Sequence, residues 1–352
     1  MRFARAKSVS SVFLWRTRPP SGSRFLPSRG AVPNAGSSAR RGLPEVHPTR
    51  NATWRLMRLV AAWASVCPAS DVAAMFEIGE STVRRYETDI LEADLPEPDL
   101  DGLEVLLVDE KSVRKGHGYV TVVLNGRTGE LLHMAEGKKK ESLECFLATL
   151  TQEQKNSIRA VCIDRNGAYR SVLSEQLPKA EIVHDRFHIM ANLNSAIDEV
   201  RRSEWRSAKA EGKKVIKASR YLLMMNRENL DESGRDRLLE ITRLNEKLST
   251  AYILKEDFRS IYTHTPSIRS ARARIRRWHD VVLVSGIEPM TRFAKGVMRD
   301  IKEVTAYFKH RVTSSRIEAF NNQIARLIHR ACGMTNLKYL FLKMRAQSLK
   351  QI

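Results

Sequence analysis

The chain has 352 residues, 42% of them hydrophobic, and a formal net charge of +20 with a pI near 10.1. This much apolar sequence is enough for a globular protein of two or three domains, and the large positive charge indicates a polyanionic partner such as nucleic acid. No run approaches the roughly 18 apolar residues of a membrane-spanning helix, so we expect no membrane partner.

The first 50 residues are strongly basic. They hold ten Lys and Arg against one acid, Glu45, together with many Ser, Pro and Gly. Such a composition buries too little apolar surface to fold, so we predict a disordered basic arm over residues 1–50; a transit peptide is the less favoured interpretation. The four cysteines of the chain are isolated, which indicates neither a disulfide framework nor a zinc ribbon and fits a reducing cytoplasm.

Residues 51–92 carry helical patterns. An amphipathic helix starts near Trp54, and two further helical runs are separated by a short turn at Gly79, with Ser81 as the expected N-cap of the second run. This order resembles a helix-turn-helix, whose second helix enters the DNA major groove, although a plain helical hairpin is the alternative. The exposed start of the second helix supplies the candidate DNA contacts, which are Thr82, Arg84 and Arg85. A Pro-rich and acidic linker follows over residues 93–102.

From residue 103 the pattern changes to short strands. Three strand-like runs form a meander, and a helix, a strand, a helix and a last strand over residues 180–189 follow. This is the ribonuclease-H-like layout, in which the first and fourth strands lie side by side. Asp109 closes the first strand and Asp164 closes the fourth, so both carboxylates are expected at the carboxyl edge of the sheet, where open α/β sheets bind ligands. Carboxylate oxygens at such an edge suit Mg²⁺.

A lone acid, Glu318, lies in a helical run near the C-terminus, after a stretch over 190–312 that is helical throughout. Ser315 and Glu318 have the Ser-x-x-Glu spacing of a capping box, which is the structural interpretation of this acid. The functional interpretation makes Glu318 the third carboxylate of the site. At about 100° per residue, it shares a polar helix face with Asn322, Arg326 and His329.

Three segments together carry a family resemblance. They are LLVDEKSVRKGHGYVTVVLNGRTGELLHMAEGKKKESLECFL, VCIDRNGAYRSVLSEQLPKAEIVHDRFHIMANLNSAIDEVRR and TSSRIEAFNNQIARLIHRACGMTNLKYL. In this order they resemble the transposases of the ISL-three insertion-sequence family, a bacterial DDE group, from about Ala52 to the C-terminus. The resemblance implies a DDE catalytic triad of Asp109, Asp164 and Glu318, which also bind two Mg²⁺ or Mn²⁺ ions.

The resemblance also implies a fold and a function. The expected fold is α/β: a ribonuclease-H-like catalytic domain over 103–189 and 313–352 with a large all-α insertion over 190–312, preceded by a small α-helical helix-turn-helix domain. The expected function is binding of the ends of an insertion sequence, followed by metal-dependent DNA cleavage and strand transfer. Expected partners are double-stranded DNA, as terminal inverted repeats and target, and further copies of the chain in a homodimer or higher oligomer. The expected location is the bacterial nucleoid in the cytoplasm.

The sequence departs from the family at its start. Family members commonly carry a zinc-ribbon segment before the helix-turn-helix, and the basic arm has no paired cysteines to form one. The alternative function is therefore a catalytically inactive, truncated transposase remnant that only binds DNA. A ribonuclease H or a resolvase-type nuclease on the same fold is less favoured, because neither interpretation explains the helix-turn-helix and the helical insertion.

Two accessory residues lie in the segment HDRFH. Its two histidines are four residues apart, but the segment follows a strand and has Asp in place of Glu, so the H-E-x-x-H zinc-protease interpretation is rejected. Asp185 is expected at the same sheet edge as the catalytic acids and is the main rival to Asp164 as a metal ligand. The family resemblance makes Asp185 and His188 accessory.

Other basic and aromatic residues have two interpretations. Lys111, Lys115 and His117 contact phosphate or form a solvated loop, and the basic runs of the helical insertion follow DNA or are solvated helix faces. Asn322 and Arg326 are the candidate DNA contacts on the helix that carries Glu318. Two tryptophans of the insertion, Trp205 and Trp278, are expected in its core.

Overall fold

The computed structural model describes residues 45–114, 118–164, 167–217, 219–331, 334 and 336–350. The described chain is a mixed α/β protein with a five-stranded sheet and many helices. It divides into two compact units. One contains the described part of Met1–Pro96 together with Arg330–Ala346, and the other contains Glu97–His329 together with the residues from Gln347 onwards. No described helix is both long and apolar enough to cross a membrane.

The first unit begins with three helices, α1 (Trp54–Val66), α2 (Ala69–Phe76) and α3 (Glu80–Asp94). The predicted helix start near Trp54 is confirmed. The buried residues of α3 are those predicted to face inward, namely Val83, Tyr86 and Ile90. The predicted cap at Ser81 is wrong, because α3 already begins at Glu80 and its N-cap position is held by Gly79, which has no side chain to cap with.

The folded part of the first unit starts before Trp54. Val46 forms an isolated β-bridge with Thr53, and the Arg50 guanidinium lies 2.6 Å from a carboxylate oxygen of Asp89 on α3. The prediction had included residues 45–50 in the arm. They are held here because the ion pair and the bridge give this basic segment partners within the unit. The arm residues 1–44 lie outside the described residues.

The sheet of the second unit has five strands. They are β1 (Val105–Ser112), β2 (Tyr119–Asn125), β3 (Leu131–Glu136), β4 (Ala160–Ile163) and β5 (Glu181–His184). Their order is β3-β2-β1-β4-β5; the first three are antiparallel, and β4 runs parallel to both β1 and β5. The predicted meander and the predicted adjacency of the first and fourth strands are confirmed.

Three helices connect strands of the sheet: α4 (Lys140–Leu147) and α5 (Gln152–Ser157) lie between β3 and β4, and α6 (Gly167–Gln176) lies between β4 and β5. A single helix was predicted where α4 and α5 lie. The two are separate because Thr151 and Gln154 form a capping box, which starts a new helix. Phe146 of α4 and Tyr169 of α6 lie in the same apolar core as Leu106 and Val161 of the sheet.

Strand β5 is shorter than predicted, and the chain turns into helix α7 (Arg186–Ser207) directly after it. Asp185 is the N-cap of α7, because its carboxylate Oδ1 accepts a hydrogen bond of 3.1 Å from the Phe187 amide. The strand pattern had been extended to residue 189 because Phe187 and Ile189 are apolar. The cap fixes Asp185 at the junction of strand and helix.

The region up to residue 310 continues as helices. They are α8 (Ala210–Ile216), α9 (Arg220–Met224), α10 (Glu232–Leu244), α11 (Glu246–His264), α12 (Ile268–Ser285), α13 (Glu288–Arg299) and α14 (Ile301–His310), with a 3₁₀ turn at Arg227–Asn229. Trp278 is in the core, as predicted, and its indole N–H donates to the Leu254 carbonyl at 2.8 Å. The prediction for Trp205 is wrong: this residue is 41% exposed near the end of α7, where the Lys213 ammonium lies 5.4 Å from its ring.

Two helices complete the chain, α15 (Ser315–Arg330) and α16 (Leu337–Leu349). Most of α16 belongs to the first unit, in which the Lys343 ammonium donates to the Glu87 carboxylate of α3 at 2.6 Å. The sequence-based boundary had assigned this helix to the catalytic domain, because its apolar residues give no indication of which core they join. The contacts group residues up to Ala346 with the N-terminal helices instead.

Candidate active site

Three aspartates form a row across the parallel strands. Leu107 of β1 is in register with Cys162 of β4, and Ile163 of β4 is in register with His184 of β5. Continuing each pairing along the chain brings Asp109, Asp164 and Asp185 to the same level, at the carboxyl ends of three adjacent strands. Neighbouring strands are about 4.8 Å apart, so three carboxylates are concentrated at one edge of the sheet.

His188 lies between two of these carboxylates. Its Nδ1 is 3.7 Å from an oxygen of Asp164, and its Nε2 is 3.7 Å from an oxygen of Asp185. The Asp164 side chain is 44% exposed, whereas that of Asp185 is only 3% exposed. Asp185 and His188, the accessory residues predicted from the sequence, therefore lie next to Asp164. Asp185 is buried, whereas Asp164 is accessible to a ligand.

Asp109 is held through both of its carboxylate oxygens. Oδ1 accepts the Glu110 amide at 2.8 Å, and Oδ2 accepts the side-chain amide of Asn321 at 2.6 Å. Burial raises the pKa of Asp109 above its ordinary value, and the negative charges of Asp164 and Asp185 add to that effect. A bound cation would favour the ionised carboxylate and oppose both effects.

Glu318 lies on the exposed face of α15. Its backbone amide donates to the Ser314 carbonyl at 2.8 Å, and the Ser315 hydroxyl contacts the Thr313 hydroxyl at 3.0 Å. The capping-box interpretation is therefore wrong, because Ser315 is the first residue of α15 and not its N-cap. Among the described residues, the Glu318 carboxylate has no hydrogen bond or ion pair. Along α15, Glu318 comes three residues, about 4.5 Å of helix axis, before Asn321, which contacts Asp109.

The remaining candidates on α15 and β1 are open to solvent to different degrees. Asn322, Arg326 and His329 are exposed on the same face as Glu318, as the helical spacing predicted. Lys111 is partly buried near the end of β1. The two other basic candidates that follow Asp109, Lys115 and His117, lie outside the described residues.

The histidines of HDRFH do not form a zinc-protease pair. His184 is the last residue of β5, whereas His188 lies in the first turn of α7. The H-E-x-x-H motif needs both histidines on one face of a single helix. The two side chains are on different elements, which agrees with the rejection made from the sequence.

The oxygen donors at the sheet edge fit a hard divalent cation. Two buried oxygens at this edge make no hydrogen bond with the described residues: Oδ2 of Asp185 and Oδ1 of Asn321. Carboxylate and amide oxygens are the ligands that Mg²⁺ and Mn²⁺ prefer. In the part of the chain that the structure describes, no three His, Cys, Asp or Glu side chains already converge on one ion position. The donor atoms are therefore of the types that bind Mg²⁺ or Mn²⁺, while the described side chains do not yet surround one ion position.

The candidate DNA contacts of the first unit lie at the start of α3. Arg84 and Arg85 are exposed, and Thr82 is half-buried. The Arg84 guanidinium pairs with Glu80 at 3.0 Å, and that of Arg85 donates to the Thr82 hydroxyl at 3.2 Å. Both arginines thus belong to the solvent face of the helix, as the sequence predicted.

Comparison with known proteins establishes the family. Residues 106–344 match the DDE family of ISL-three elements described as "Transposase". The chain therefore belongs to the ISL-three family of transposases, as its three motifs predicted.

Two named relatives agree with this assignment. The chain is 32% identical over 295 residues to the "Transposase for insertion sequence element IS1001" of Bordetella parapertussis, an alignment that covers 82% of this chain and 72% of that protein. It is 26% identical over 310 residues to the "Transposase for insertion sequence element IS1557" of Mycobacterium tuberculosis, covering 81% of this chain. The chain spans 65% of the length of the mycobacterial relative.

Proposed function

We propose that this chain binds the ends of an insertion sequence and catalyses metal-dependent DNA cleavage and strand transfer. The observation that carries the proposal is the row formed by Asp109, Asp164 and Asp185 at the carboxyl edge of the sheet, in a basic member of a transposase family. In this proposal, the ribonuclease-H-like catalytic domain consists of residues 103–189 and of the part of 313–352 that does not belong to the first unit, and residues 190–312 are its helical insertion.

Asp109, Asp164 and Glu318 are the proposed catalytic acids and would hold two divalent ions, Mg²⁺ or Mn²⁺. When bound, such ions stabilise negative charge on the attacking and leaving oxygens of a phosphodiester. Asp109 contributes a fixed carboxylate, because both of its oxygens are hydrogen-bonded, and Asp164 contributes an accessible one. Asp185 and His188 keep the accessory role, with His188 placed to hold Asp164 in position. The nucleophile is water in cleavage and the freed 3′-hydroxyl in strand transfer.

The proposed sequence-reading element is the helix-turn-helix of residues 51–92. Thr82, Arg84 and Arg85 lie at the start of α3, where a recognition helix contacts base edges. The Arg84 pair with Glu80 is half-exposed on both sides, and exposed ion pairs contribute little free energy. The loss of the Glu80 ion pair would therefore cost little free energy when Arg84 binds DNA.

The helical insertion supplies a second proposed DNA surface, on α12. Arg272 and Arg274 of this helix donate to Thr305 and Thr265 and are part of the protein's own packing. Three other arginines of α12 are exposed and make no ion pair with the described residues: Arg269, Arg276 and Arg277. Together with Asn322 and Arg326 of α15, they are suited to contact phosphates, which positions a duplex without reading its sequence.

The proposed partners follow from this chemistry. They are double-stranded DNA, both as the terminal inverted repeats of the element and as the target, and further copies of the chain assembled on that DNA as a homodimer or larger oligomer. The proposed place of action is the bacterial nucleoid. The second candidate function is an inactive remnant that only binds DNA; Glu318 is exposed, and among the described residues its carboxylate has no hydrogen bond or ion pair that holds it in place.

A cleavage assay on authentic ends tests the proposal. The full chain is incubated with a duplex that carries the terminal inverted repeats flanking its gene, with Mg²⁺, with Mn²⁺ or with EDTA. We expect strand-specific nicks that free the 3′-ends of the element in both metals and none in EDTA. Specific binding without any cleavage in either metal would favour the inactive remnant, and cleavage in EDTA would contradict the metal-dependent mechanism.

A further inference from the structure

We propose that Asn321 is a positioning residue for the catalytic acids: its side-chain amide orients Asp109 and docks the helix that carries Glu318 against β1. The inference rests on the proposed function, which it extends to a residue outside the expected triad. The observation behind it is the hydrogen bond of 2.6 Å from Asn321 Nδ2 to Asp109 Oδ2, which joins residues 212 positions apart.

Packing alone does not explain an asparagine at this position. Asn321 is 7% exposed and lies on the buried face of α15, among the apolar side chains Ile317, Phe320 and Ile324. Burying an amide is unfavourable unless its polar atoms are paired, so Leu would suit this face better if packing were its only task. Of its two polar atoms, Nδ2 is paired with Asp109, while Oδ1 has no hydrogen-bond partner among the described residues.

The chemistry of an amide suits the neighbour of a metal-binding carboxylate. An arginine or lysine at position 321 would also fix Asp109, but it would neutralise the negative charge that a cation needs. Asn321 donates one hydrogen bond and leaves that charge in place. Its free Oδ1 adds a further oxygen beside Asp109, available to the cation or to one of its water ligands.

The hydrogen bond between Asn321 and Asp109 also positions the part of α15 that carries Glu318. Arg316, two residues before Glu318, donates to the Gly126 carbonyl at 2.8 Å, and Asn321, three residues after it, donates to Asp109. Glu318 therefore lies between the two anchors of α15, although its own carboxylate has no partner among the described residues. The position of this acid relative to Asp109 depends on the Asn321 bond.

Metal binding by the full chain tests the inference without relying on activity. We expect Asn321→Leu and Asn321→Ala to weaken Mn²⁺ binding, measured by calorimetry with Mn²⁺ alone, by about 10- to 100-fold, as is usual when the partner of a metal-ligating carboxylate is removed. Asn156→Ala, at an exposed position of α5, is the matched control and should bind Mn²⁺ as the unmodified chain does.

Thermal unfolding separates positioning from packing. In EDTA, Asn321→Leu should unfold within a few degrees of the unmodified chain, whereas the rise in unfolding temperature that Mn²⁺ causes should be largely lost. Unchanged Mn²⁺ affinity in both variants, while Asp109→Asn weakens it, would overturn the inference and leave the proposed function standing. An Asn321→Ala chain that is destabilised in EDTA but keeps its Mn²⁺ affinity would show a packing role only. Absence of any Mn²⁺ binding that depends on Asp109 would remove the proposed metal site itself.

Discussion

Asp185 lies beside Asp164 at the end of the parallel β4–β5 pair, and a single imidazole, that of His188, is 3.7 Å from a carboxylate oxygen of each. The two aspartates have different surroundings. Asp185 is buried and caps α7, whereas Asp164 is 44% exposed. Asp164 is therefore the more accessible of the two carboxylates, whereas Asp185 holds the junction of β5 and α7.

The two aspartates should therefore respond differently to the same substitution. Asp164→Asn removes an accessible negative charge and should abolish 3′-end cleavage. Asp185→Asn keeps an N-capping side chain, since Asn and Asp cap helices about equally well, and should retain cleavage activity. A cleavage assay with equal amounts of folded protein checks both. The reverse result, with Asp164→Asn active and Asp185→Asn inactive, would place the second metal ligand on β5.

The other two acids of the proposed triad make a second prediction. Asp109→Asn and Glu318→Gln keep the side-chain shape and remove the charge that is proposed to bind Mg²⁺, so each should abolish cleavage and strand transfer while DNA binding survives. Because the acids act as a unit, the double variant should be no worse than either single one. Cleavage and gel-shift assays on the same duplex measure the two activities separately.

An exposed aspartate elsewhere on the second unit is the control for charge removal. Asp236 of α10 has no hydrogen bond or ion pair with the described residues. Asp236→Asn should leave cleavage unchanged. If Glu318→Gln were as active as Asp236→Asn, Glu318 would be a surface residue of α15 and the triad would need another third member.

The order of the strands could be predicted from the sequence, but the contacts across the site could not. Short apolar runs and the turn between β2 and β3 were sufficient to predict the meander. They also placed Asp109 and Asp164 at one edge of the sheet, because the carboxyl ends of parallel strands lie at the same edge. Asn321 was missed although it left a signal. It lies four residues after Ile317 and three before Ile324, so it interrupts the apolar stripe with an amide. A polar residue at such a position indicates a buried partner.

The boundary at Asp185 was missed for a different reason. Apolar residues continue past His184, so a strand and the first turn of a buried helix have the same local pattern. The capping aspartate was the informative residue, since Asp directly before a helical run is a common N-cap. Trp205 was misplaced because a large aromatic residue in a helix favours the core, and nothing in the local pattern indicates its exposed position near the end of α7.

The start of α3 makes a third prediction. Replacing Arg84 and Arg85 by Ala should weaken binding to the element's ends while affinity for unrelated DNA changes little, because in the proposed helix-turn-helix these two side chains contact base edges. The matched control removes the same charge from α1 with Arg55→Ala and Arg58→Ala, both exposed. Gel shifts on specific and unrelated duplexes compare the two. Equal losses on both duplexes would show that Arg84 and Arg85 contact only phosphate.

The basic arm makes a fourth prediction, which concerns salt. Residues 1–44 carry nine Lys and Arg and no acid. Deleting them should lower affinity for any DNA and flatten its dependence on salt, since each phosphate contact contributes about 0.9 to the slope of log affinity against log salt. The cut leaves Arg50 and its pair with Asp89 in place, so the unfolding temperature should not change. A deleted chain with the full salt slope would show that the arm does not contact DNA.

The buried ion pair of the first unit makes the last prediction. The Lys343 ammonium donates to the Glu87 carboxylate at 2.6 Å and to the Ala64 carbonyl at 2.8 Å, and the Tyr339 hydroxyl donates to the other oxygen of Glu87. Removing one partner leaves an uncompensated buried charge, so Lys343→Met should lower the free energy of unfolding by about 3–5 kcal/mol. Urea unfolding of the full chain, followed by gel shifts on the element's ends, measures the effect on the unit that contains α3.

The same helix supplies the control for this substitution. Lys338 also pairs with an acid of α3, Glu92, but both side chains are more than one-third exposed. Lys338→Met should therefore change stability by less than about 1 kcal/mol. Adding Glu87→Leu to Lys343→Met should restore part of the lost stability, because the charge left without a partner is removed together with its cost of burial. If Lys343→Met lowered the free energy of unfolding no more than Lys338→Met does, the Lys343–Glu87 pair would be accessible to water in solution. The packing of α16 would then not stabilise the buried face of α3.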